Sequence, residues 1–169
     1  MALWRDGGFA DDIWTTLDDS APIPEHGAIV VSFVRWQAEK ATLERRVDPV
    51  GVAIAAGKDA VSELAEAAKR PLVALKFDKF ADGRAFSYAE LLRERHGFTG
   101  ELRAIGDVLL DEIALMLRCG FTSFEVTDAN TQRALKEGRL LQGALFYQPA
   151  PGLREAPAGT RPWLRRAAG

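Results

Sequence analysis

The sequence predicts an α/β fold in which repeated strand–helix units build a mainly parallel sheet, with residues 71–126 at its centre. Short Val- and Ile-rich runs alternate with stretches at helical spacing, and short links join them. The segment His96-Gly97-Phe98-Thr99 also returns 23 residues later as Cys119-Gly120-Phe121-Thr122. A complete barrel of such units takes about 250 residues. The 169-residue chain therefore predicts an open sheet or a partial barrel.

Composition predicts one compact domain over residues 1–148. Hydrophobic residues make up 47% of the chain and charged residues 27%, which is typical of a globular protein. The net charge of −2 argues against binding to nucleic acid. No apolar run reaches the ~20 residues that cross a bilayer, and the N-terminus lacks a signal pattern, so we expect no membrane contact. A single cysteine cannot form an internal disulfide, which favours the cytoplasm.

The first part of the chain predicts a hairpin followed by two strand–helix units. Asp6-Gly7-Gly8 supplies turn residues between apolar side chains, which favours a small hairpin over residues 1–17. Two continuous apolar runs are typical of strands covered on both faces. In order, the predictions are a strand over 28–34, a short exposed helix over 36–46, a strand over 49–56, and a helix over 60–69 capped by Asp59.

The second part predicts further units of the same kind, beginning with a strand over residues 71–75. Ser87 and Glu90 match the capping box S-x-x-E, which predicts a helix that starts at Ser87. Gly97 is placed to end that helix in the left-handed conformation. The remaining predictions are strands over 101–105, 123–126 and 141–147, helix caps at Asp107 and Asp128, and a helix end at Gly138.

Polar residues after the predicted strands are candidate ligand-binding residues. In a parallel sheet, the loops that follow the strands meet at one edge, where ligands bind. Asp82, Gly83 and Arg84 lie in one such loop, and Asp107 lies in another. Arg84 and Arg103 are candidate anion ligands, and Asp82 or Asp107 is the candidate acid or base. Helix capping and solvated surface charge are the simpler explanation of each residue taken alone, so the catalytic residues stay unknown.

Charged residues inside the predicted strands are a second group of candidates. Glu101 and Arg103 share one face of a short strand, because strand side chains alternate. Lys76 and Glu125 lie in neighbouring strands. Burying an unpaired charge is costly. Three interpretations stay open: a paired network inside a partial barrel, a protein interface, or wet ends of edge strands.

The C-terminal residues 149–169 are rich in proline, glycine and arginine, which predicts a flexible tail. Arg161, Trp163 and Arg165 are candidate contacts to a partner, since Trp and Arg are favoured in binding hot spots. A solvated end, or a tryptophan packed on its own domain, explains the same residues.

No cofactor or metal site is expected. One cysteine cannot build an iron–sulfur cluster or a structural zinc site. The sequence has no Walker loop and no complete dinucleotide-binding glycine pattern. Whether the chain is an enzyme stays open.

Longer segments resemble a known bacterial family. The resemblance is dense over residues 71–126 and looser over 29–148. The chain is similar there to the family called domain of unknown function 934. The segments that carry it are Phe80-Ala81-Asp82-Gly83-Arg84-Ala85-Phe86-Ser87, residues 91–95, residues 97–109, and Arg118-Cys119-Gly120-Phe121.

The resemblance implies a role in sulfite reduction, because genes of that family tend to lie beside the gene of the sulfite or nitrite reductase haemoprotein. Six-electron reduction needs a redox cofactor, and this chain carries no motif for one. We therefore expect an accessory or interaction protein of assimilatory sulfite reduction that works with the haemoprotein. The alternative is a small-anion-binding domain or enzyme that uses the loops around Asp82–Arg84 and Gly106–Asp107.

Overall fold

A computed structural model describes residues 2–55, 57, 60–77, 83–140, 145–146 and 165–166. The strands are β1 Ala2–Arg5, β2 Gly8–Ala10, β3 Trp14–Thr16, β4 Ala28–Ser32, β5 Val50–Ala55, β6 Leu72–Phe77, β7 Glu101–Gly106, β8 Ser123–Val126, β9 Leu145–Phe146 and β10 Arg165–Arg166. The helices are α1 Phe33–Ala38, α2 Lys40–Leu43, α3 Ala60–Ala67, α4 Arg84–Glu90, α5 Leu110–Arg118 and α6 Ala129–Lys136. A π-helical turn, Leu91–Arg95, continues α4.

Eight of the strands form one sheet in the order β2-β1-β8-β7-β6-β5-β4-β3. Strands β3 to β8 run parallel to one another, and β1 pairs antiparallel with both β8 and β2. The predicted fold class is therefore confirmed: repeated strand–helix units, a mainly parallel sheet and a small N-terminal hairpin.

The sheet is curled into a half-barrel, and the linker 11–13 shows why it must be. Ala10 ends β2 at one edge, and Trp14 begins β3 at the opposite edge. Four residue steps of extended chain span at most about 14 Å. A flat sheet would separate these edges by roughly 33 Å, at about 4.8 Å per strand. The two edges can be joined only because the sheet bends them toward each other.

The two faces of the sheet differ because side chains alternate along each strand. The helices cover the face that carries the main core, where fully buried side chains each contribute about 1.5–3 kcal/mol. Its strand residues include Ile29, Val31, Val52, Ile54, Val73, Leu75, Leu102, Ala104 and Phe124. The opposite face holds a small second cluster of Val30, Leu72 and Ala74, with Trp14, Ala53 and Ile105 against it. The charged strand residues lie on this second face.

The N-terminal hairpin is shorter than predicted, covering residues 2–10 and not 1–17. Asp6 and Gly7 form its two-residue turn, with φ of 51° and 81°. Positive φ at both positions matches the twist of the flanking strands. Trp14 does not belong to the hairpin, because it begins β3, which pairs in parallel with β4.

The prediction of an exposed helix over residues 36–46 was right in type but wrong in its bounds, because two short helices cover 33–43. Helix α1 begins at Phe33, since the Ser32 hydroxyl accepts a hydrogen bond from the Arg35 amide and caps it. Phe33 and Trp36 are buried against the sheet. Glu39 then separates α1 from α2.

The predicted capping box was also wrong. Helix α4 begins at Arg84, after Gly83, so Ser87 lies inside the helix and not at its start. The S-x-x-E spacing is ambiguous, because residues three apart also lie on one side of a helix interior.

Other predicted helix ends had mixed outcomes. Asp128 caps α6 through a hydrogen bond from the Thr131 amide of 2.6 Å, as predicted. Asp107 does not cap α5, whose first turn follows Leu109 without a side-chain cap. Gly97 ends its helix in the predicted left-handed conformation, with φ of 60°, and Gly138 follows the end of α6 as predicted, with φ of 68°.

Two predictions fall wholly or largely outside the described residues. Asp59 lies outside them. Of the predicted strand over 141–147, the structure describes Leu145–Phe146, which pairs with Arg165–Arg166. The division between residues 1–148 and the tail 149–169 stays a prediction.

Candidate functional site

A buried ion-pair network lies on the helix-free face of the sheet, centred on Arg103 of β7. The Arg103 side chain is 2% exposed. Its Nη1 and Nη2 donate to the two carboxylate oxygens of Asp12 at 2.6 and 3.0 Å. Its Nε and Nη2 donate to Oε1 of Glu101 at 3.0 and 2.8 Å. Two carboxylates therefore bond two edges of one guanidinium, and Nη2 donates to both.

Neighbouring strands extend this network. Ser123 of β8 donates its hydroxyl to Glu101 Oε1 at 2.6 Å. Arg5 of β1 places Nη1 3.8 Å from Glu101 Oε2. We call Asp12, Glu101, Arg103 and Ser123 the Arg103 network. It joins β7 and β8 to the linker that crosses between the sheet edges.

Electrostatics fixes the charge states in the network. Burial lowers the pKa of Arg103, but its bonds to Asp12 and Glu101 outweigh burial and raise the net pKa above its ordinary value. Burial raises the pKa of Asp12, but the Arg103 side chain and the Trp14 amide bring the net pKa below its ordinary value. Both groups therefore stay charged at neutral pH. Burial raises the pKa of Glu125 nearby, although the charge of Arg103 opposes this.

Of the three interpretations of the strand charges, the structure shows the paired network for Glu101 and Arg103. Their polar atoms are engaged within the protein, so a ligand would have to displace Asp12 or Ser123 to reach them. A ligand-binding role for Glu101 and Arg103 stays a prediction.

A pocket of about 320 Å³ opens at the carboxyl ends of β4, β5 and β6. We call it the strand-end pocket. Val34 on its wall is 70% exposed, and Val61, in the first turn of the helix after β5, is 48% exposed. The pocket is lined by Ser32, Phe33, Val34, Ala53, Ile54, Ala55, Glu63 and Lys76. It therefore combines an apolar wall with two opposite charges at the edge where parallel sheets bind ligands.

Arg35 and Ser32 organise one side of this pocket. The Ser32 hydroxyl donates to Asp19 Oδ1 at 2.6 Å. The buried Arg35 guanidinium donates to the carbonyls of Asp18 and Ala21 at 2.6 and 2.7 Å. These bonds hold the loop before β4 against the end of that strand.

The candidate residues after the strands do not converge on the Arg103 network. Gly83 and Arg84 begin α4 and are exposed. Asp107 is exposed and follows Gly106, and its amide donates to the Phe77 carbonyl at 2.9 Å. Asp107 lies four residue steps after Arg103, a distance of about 13 Å along an extended chain. Asp82 lies outside the described residues, and no single site combines the others.

The structure does not test the candidate partner contacts in the tail. Arg161 and Trp163 lie outside the described residues. Arg165 is described only as part of the two-residue strand β10. Their roles stay predictions.

Sequence reasoning missed Asp12. Asp12 and Arg103 are 91 positions apart, and no local pattern links them. Ser123 carried a usable signal, since it is a polar residue that shares a strand face with the half-buried Glu125.

The repeated Gly-Phe-Thr motif has a structural explanation through Arg93. The Arg93 Nε donates to the Gly120 carbonyl at 2.9 Å. Its Nη1 donates to the carbonyls of Phe98 and Gly100 at 2.6 and 3.0 Å. One side chain from the π-helical turn thereby joins the two copies of the motif where β7 and β8 begin.

The chain's single cysteine is not positioned for sulfur chemistry as a thiolate. Cys119 is 5% exposed, and its Sγ lies 3.7 Å from Glu90 Oε1. Burial, with the nearby Glu90 carboxylate, raises the pKa of the Cys119 thiol to about 12. The reactive thiolate is therefore scarce at neutral pH.

Two further properties concern the described part of the chain. There, no group of three or more His, Cys, Asp or Glu side chains is placed to hold a metal ion. None of its helices is long and apolar enough to cross a membrane.

Comparison with known proteins gave one match. A family model described as "Bacterial protein of unknown function (DUF934)" matches residues 51–157, which is more than half of the chain. Searches of the curated proteins and of the solved structures each found no match. The resemblance drawn from residues 71–126 is thereby confirmed.

Proposed function

Since the chain belongs to the bacterial DUF934 family, whose function is unknown, we propose its role from the site and the implied association. It serves assimilatory sulfite reduction in the cytoplasm as an accessory protein that contacts the sulfite or nitrite reductase haemoprotein. The contact surface is the strand-end pocket with the exposed Val34 and Val61.

The exposed valines beside the strand-end pocket are the observation that carries this proposal. Val34 and Val61 follow the neighbouring strands β4 and β5, so both lie at the same edge of the sheet. Exposed apolar groups beside a concave surface with polar residues at its rim are typical of protein contact sites. Lys76 and Glu63 supply that polar component.

The engaged state of Arg103 supports the same role. Arg103 is bonded to Glu101 and Asp12 within the protein. The raised pKa of Cys119 keeps the thiol protonated at neutral pH. A protein that positions or protects the haemoprotein needs neither group to be reactive.

Co-purification with surface variants tests the proposal. The tagged protein should retain the haemoprotein, and Val34→Asp with Val61→Asp should release it by placing charge at the contact. Leu115→Asp is the matched control, since Leu115 is an exposed apolar residue of α5 that lies outside the strand-end pocket. Equal retention by all variants would reject the surface. Loss of growth on sulfate after gene deletion should be restored by the Leu115 variant and not by the double variant.

A second candidate function is binding of a small anion, such as sulfite, in the strand-end pocket. Lys76 lines the pocket, and its ammonium group suits an oxyanion. Calorimetric titration with sulfite should give a heat of binding that Lys76→Gln lowers. An unchanged heat in Lys76→Gln would reject binding in this pocket.

A further inference from the structure

A second cavity, of about 420 Å³, lies at the opposite edge of the sheet, where β5 and β6 begin. We propose that it binds a small oxyanion, such as phosphate, sulfate or sulfite, between Arg46, Lys69 and Arg70. We call it the amino-edge cavity. It is separate from both the strand-end pocket and the Arg103 network.

Arg70 is held in place by an aromatic ring and not by a carboxylate. Its guanidinium carbon lies 5.0 Å from the centroid of the Trp36 ring, and Trp36 is 1% exposed. Among the described residues, Arg70 makes no ion pair with an acidic side chain. Contact with a buried ring holds the guanidinium in place without forming an ion pair, although Glu66, which bonds Lys40, lies near enough to interact with the charge of Arg70. A planar, oriented guanidinium is well suited to bind two oxygens of one anion.

Arg46 adds a second uncompensated charge from another loop. Its Nη1 and Nη2 donate to the carbonyls of Pro24 and Gly27, which are neutral acceptors. The Nε atoms of Arg46 and Arg70 are buried and have no hydrogen-bond acceptor in the described part of the chain. Neither guanidinium group is therefore neutralised by a direct ion pair with a described carboxylate.

Lys69 completes the cationic side of the cavity. Its side chain is exposed, and it makes no ion pair within the part of the chain that the structure describes. Lys69 and Arg70 enter from the loop after α3, whereas Arg46 enters from the loop after α2. Convergence from two loops makes a concave site, and not a run of charge along one helix.

Two carboxylates also line the amino-edge cavity. Asp48 Oδ2 accepts a hydrogen bond from the Gly27 amide at 2.8 Å and lies 3.7 Å from His26 Nδ1. Its charge is therefore directed toward the loop before β4. Glu44 is exposed. The three cations outnumber these two acids, and one acid is already bonded. A compact oxyanion is therefore the class of ligand that this charge pattern favours.

Calorimetric titration at low ionic strength, with phosphate, sulfate and sulfite in turn, tests the proposal. The wild-type protein should bind at least one of them with millimolar affinity, and chloride at equal ionic strength should not compete. Arg70→Gln should weaken binding about tenfold, the effect of one charge-assisted contact. Lys69→Gln, which touches no core residue, should weaken it less.

Two controls make the outcome decisive. Arg133→Gln removes an exposed arginine of α6, which packs on β8 and β2 at the other end of the strand order, and should bind like wild type. Lys76→Gln removes the cation of the strand-end pocket and should not change the heat of anion binding in the amino-edge cavity. Absence of heat with all three anions, or equal affinity in wild type and Arg70→Gln, would overturn the proposal. Loss in Lys76→Gln alone would instead locate the anion in the strand-end pocket.

Discussion

Asp12 is a single residue that joins two distant parts of the chain. It bonds Arg103 through both carboxylate oxygens, while Glu101 bonds the other side of the same guanidinium. Because Arg103 is almost fully buried, removal of either carboxylate leaves a buried positive charge that is incompletely paired and shielded from water. The network is therefore expected to contribute to stability mainly through the damage that its loss would cause.

Asp12→Asn should lower the free energy of unfolding by about 2 kcal/mol. Breaking a fully buried ion pair costs more, ~3–5 kcal/mol. The discount follows because the Asp12 side chain keeps 26% of its exposure to screening water. The folded pKa of Asp12 is depressed, so its contribution is present above the unfolded value of 3.8 and lost as pH falls through the folded pKa. The difference between wild type and variant should shrink in that acid range. Urea unfolding across pH measures it, with Asp11→Asn as control.

Glu125→Gln should change stability in the opposite direction. Burial raises the folded pKa of Glu125, so the fold favours its neutral form. The associated stability is present below the unfolded value of 4.5 and lost as pH rises through the folded pKa. At neutral pH, glutamine should therefore stabilise the protein by up to about 1 kcal/mol, with no gain in acid. A destabilised variant at neutral pH would instead mean that attraction to Arg103 outweighs burial.

At the scale of elements, the Arg93 clamp explains a repeat that the sequence shows plainly but does not interpret. The π-helical turn positions Arg93 over three carbonyls, and its guanidinium lies 5.0 Å from the Phe98 ring centroid. Gly120 leaves room for this arrangement: a Cβ there would lie 2.6 Å from Arg93 Cγ, and its φ is 100°. Gly120 therefore serves close packing between elements as well as turning, whereas a Cβ at Gly97 would meet nothing within 4 Å.

Arg93→Met should keep the apolar packing of the side chain and lose its three hydrogen bonds. We expect a loss of about 2–3 kcal/mol in unfolding free energy, since carbonyls that bonded a charged donor are left without it. Chemical denaturation measures the loss. Arg95→Met, on the exposed side of the same turn, is the matched control and should change stability little. Equal behaviour of the two variants would show that the clamp contributes nothing.

Strands were easier to predict than helix starts. Residues 123–126 were predicted with their observed bounds, because an apolar run between turn residues has few alternative structures. Helix α4 was predicted one turn late, because Ser87 and Glu90 fit both a cap and a helix interior. Local chemistry identifies the element, whereas its first residue depends on contacts with the rest of the molecule.

For the whole molecule, the N-terminal segment determines whether the curled sheet is complete. β1 covers the edge of β8, and the linker carries Asp12 to Arg103. A variant lacking residues 1–13 should expose that edge and leave Arg103 without one of its carboxylates. We expect aggregation and a lower unfolding temperature, as unpaired edges invite association. Size-exclusion chromatography and thermal unfolding measure both; a monomer of unchanged stability would show that the segment is dispensable.

The sequence alone determined the fold class, the order of most strands and helices, the left-handed helix ends and the family. Each of these depends on residues that lie close together in the chain, where periodicity and turn chemistry act. Only the tertiary structure decided the curl of the sheet, the partner of Arg103 and the two cavities. These depend on contacts such as Asp12 with Arg103, 91 positions apart, which form only when the curled sheet brings its edges together.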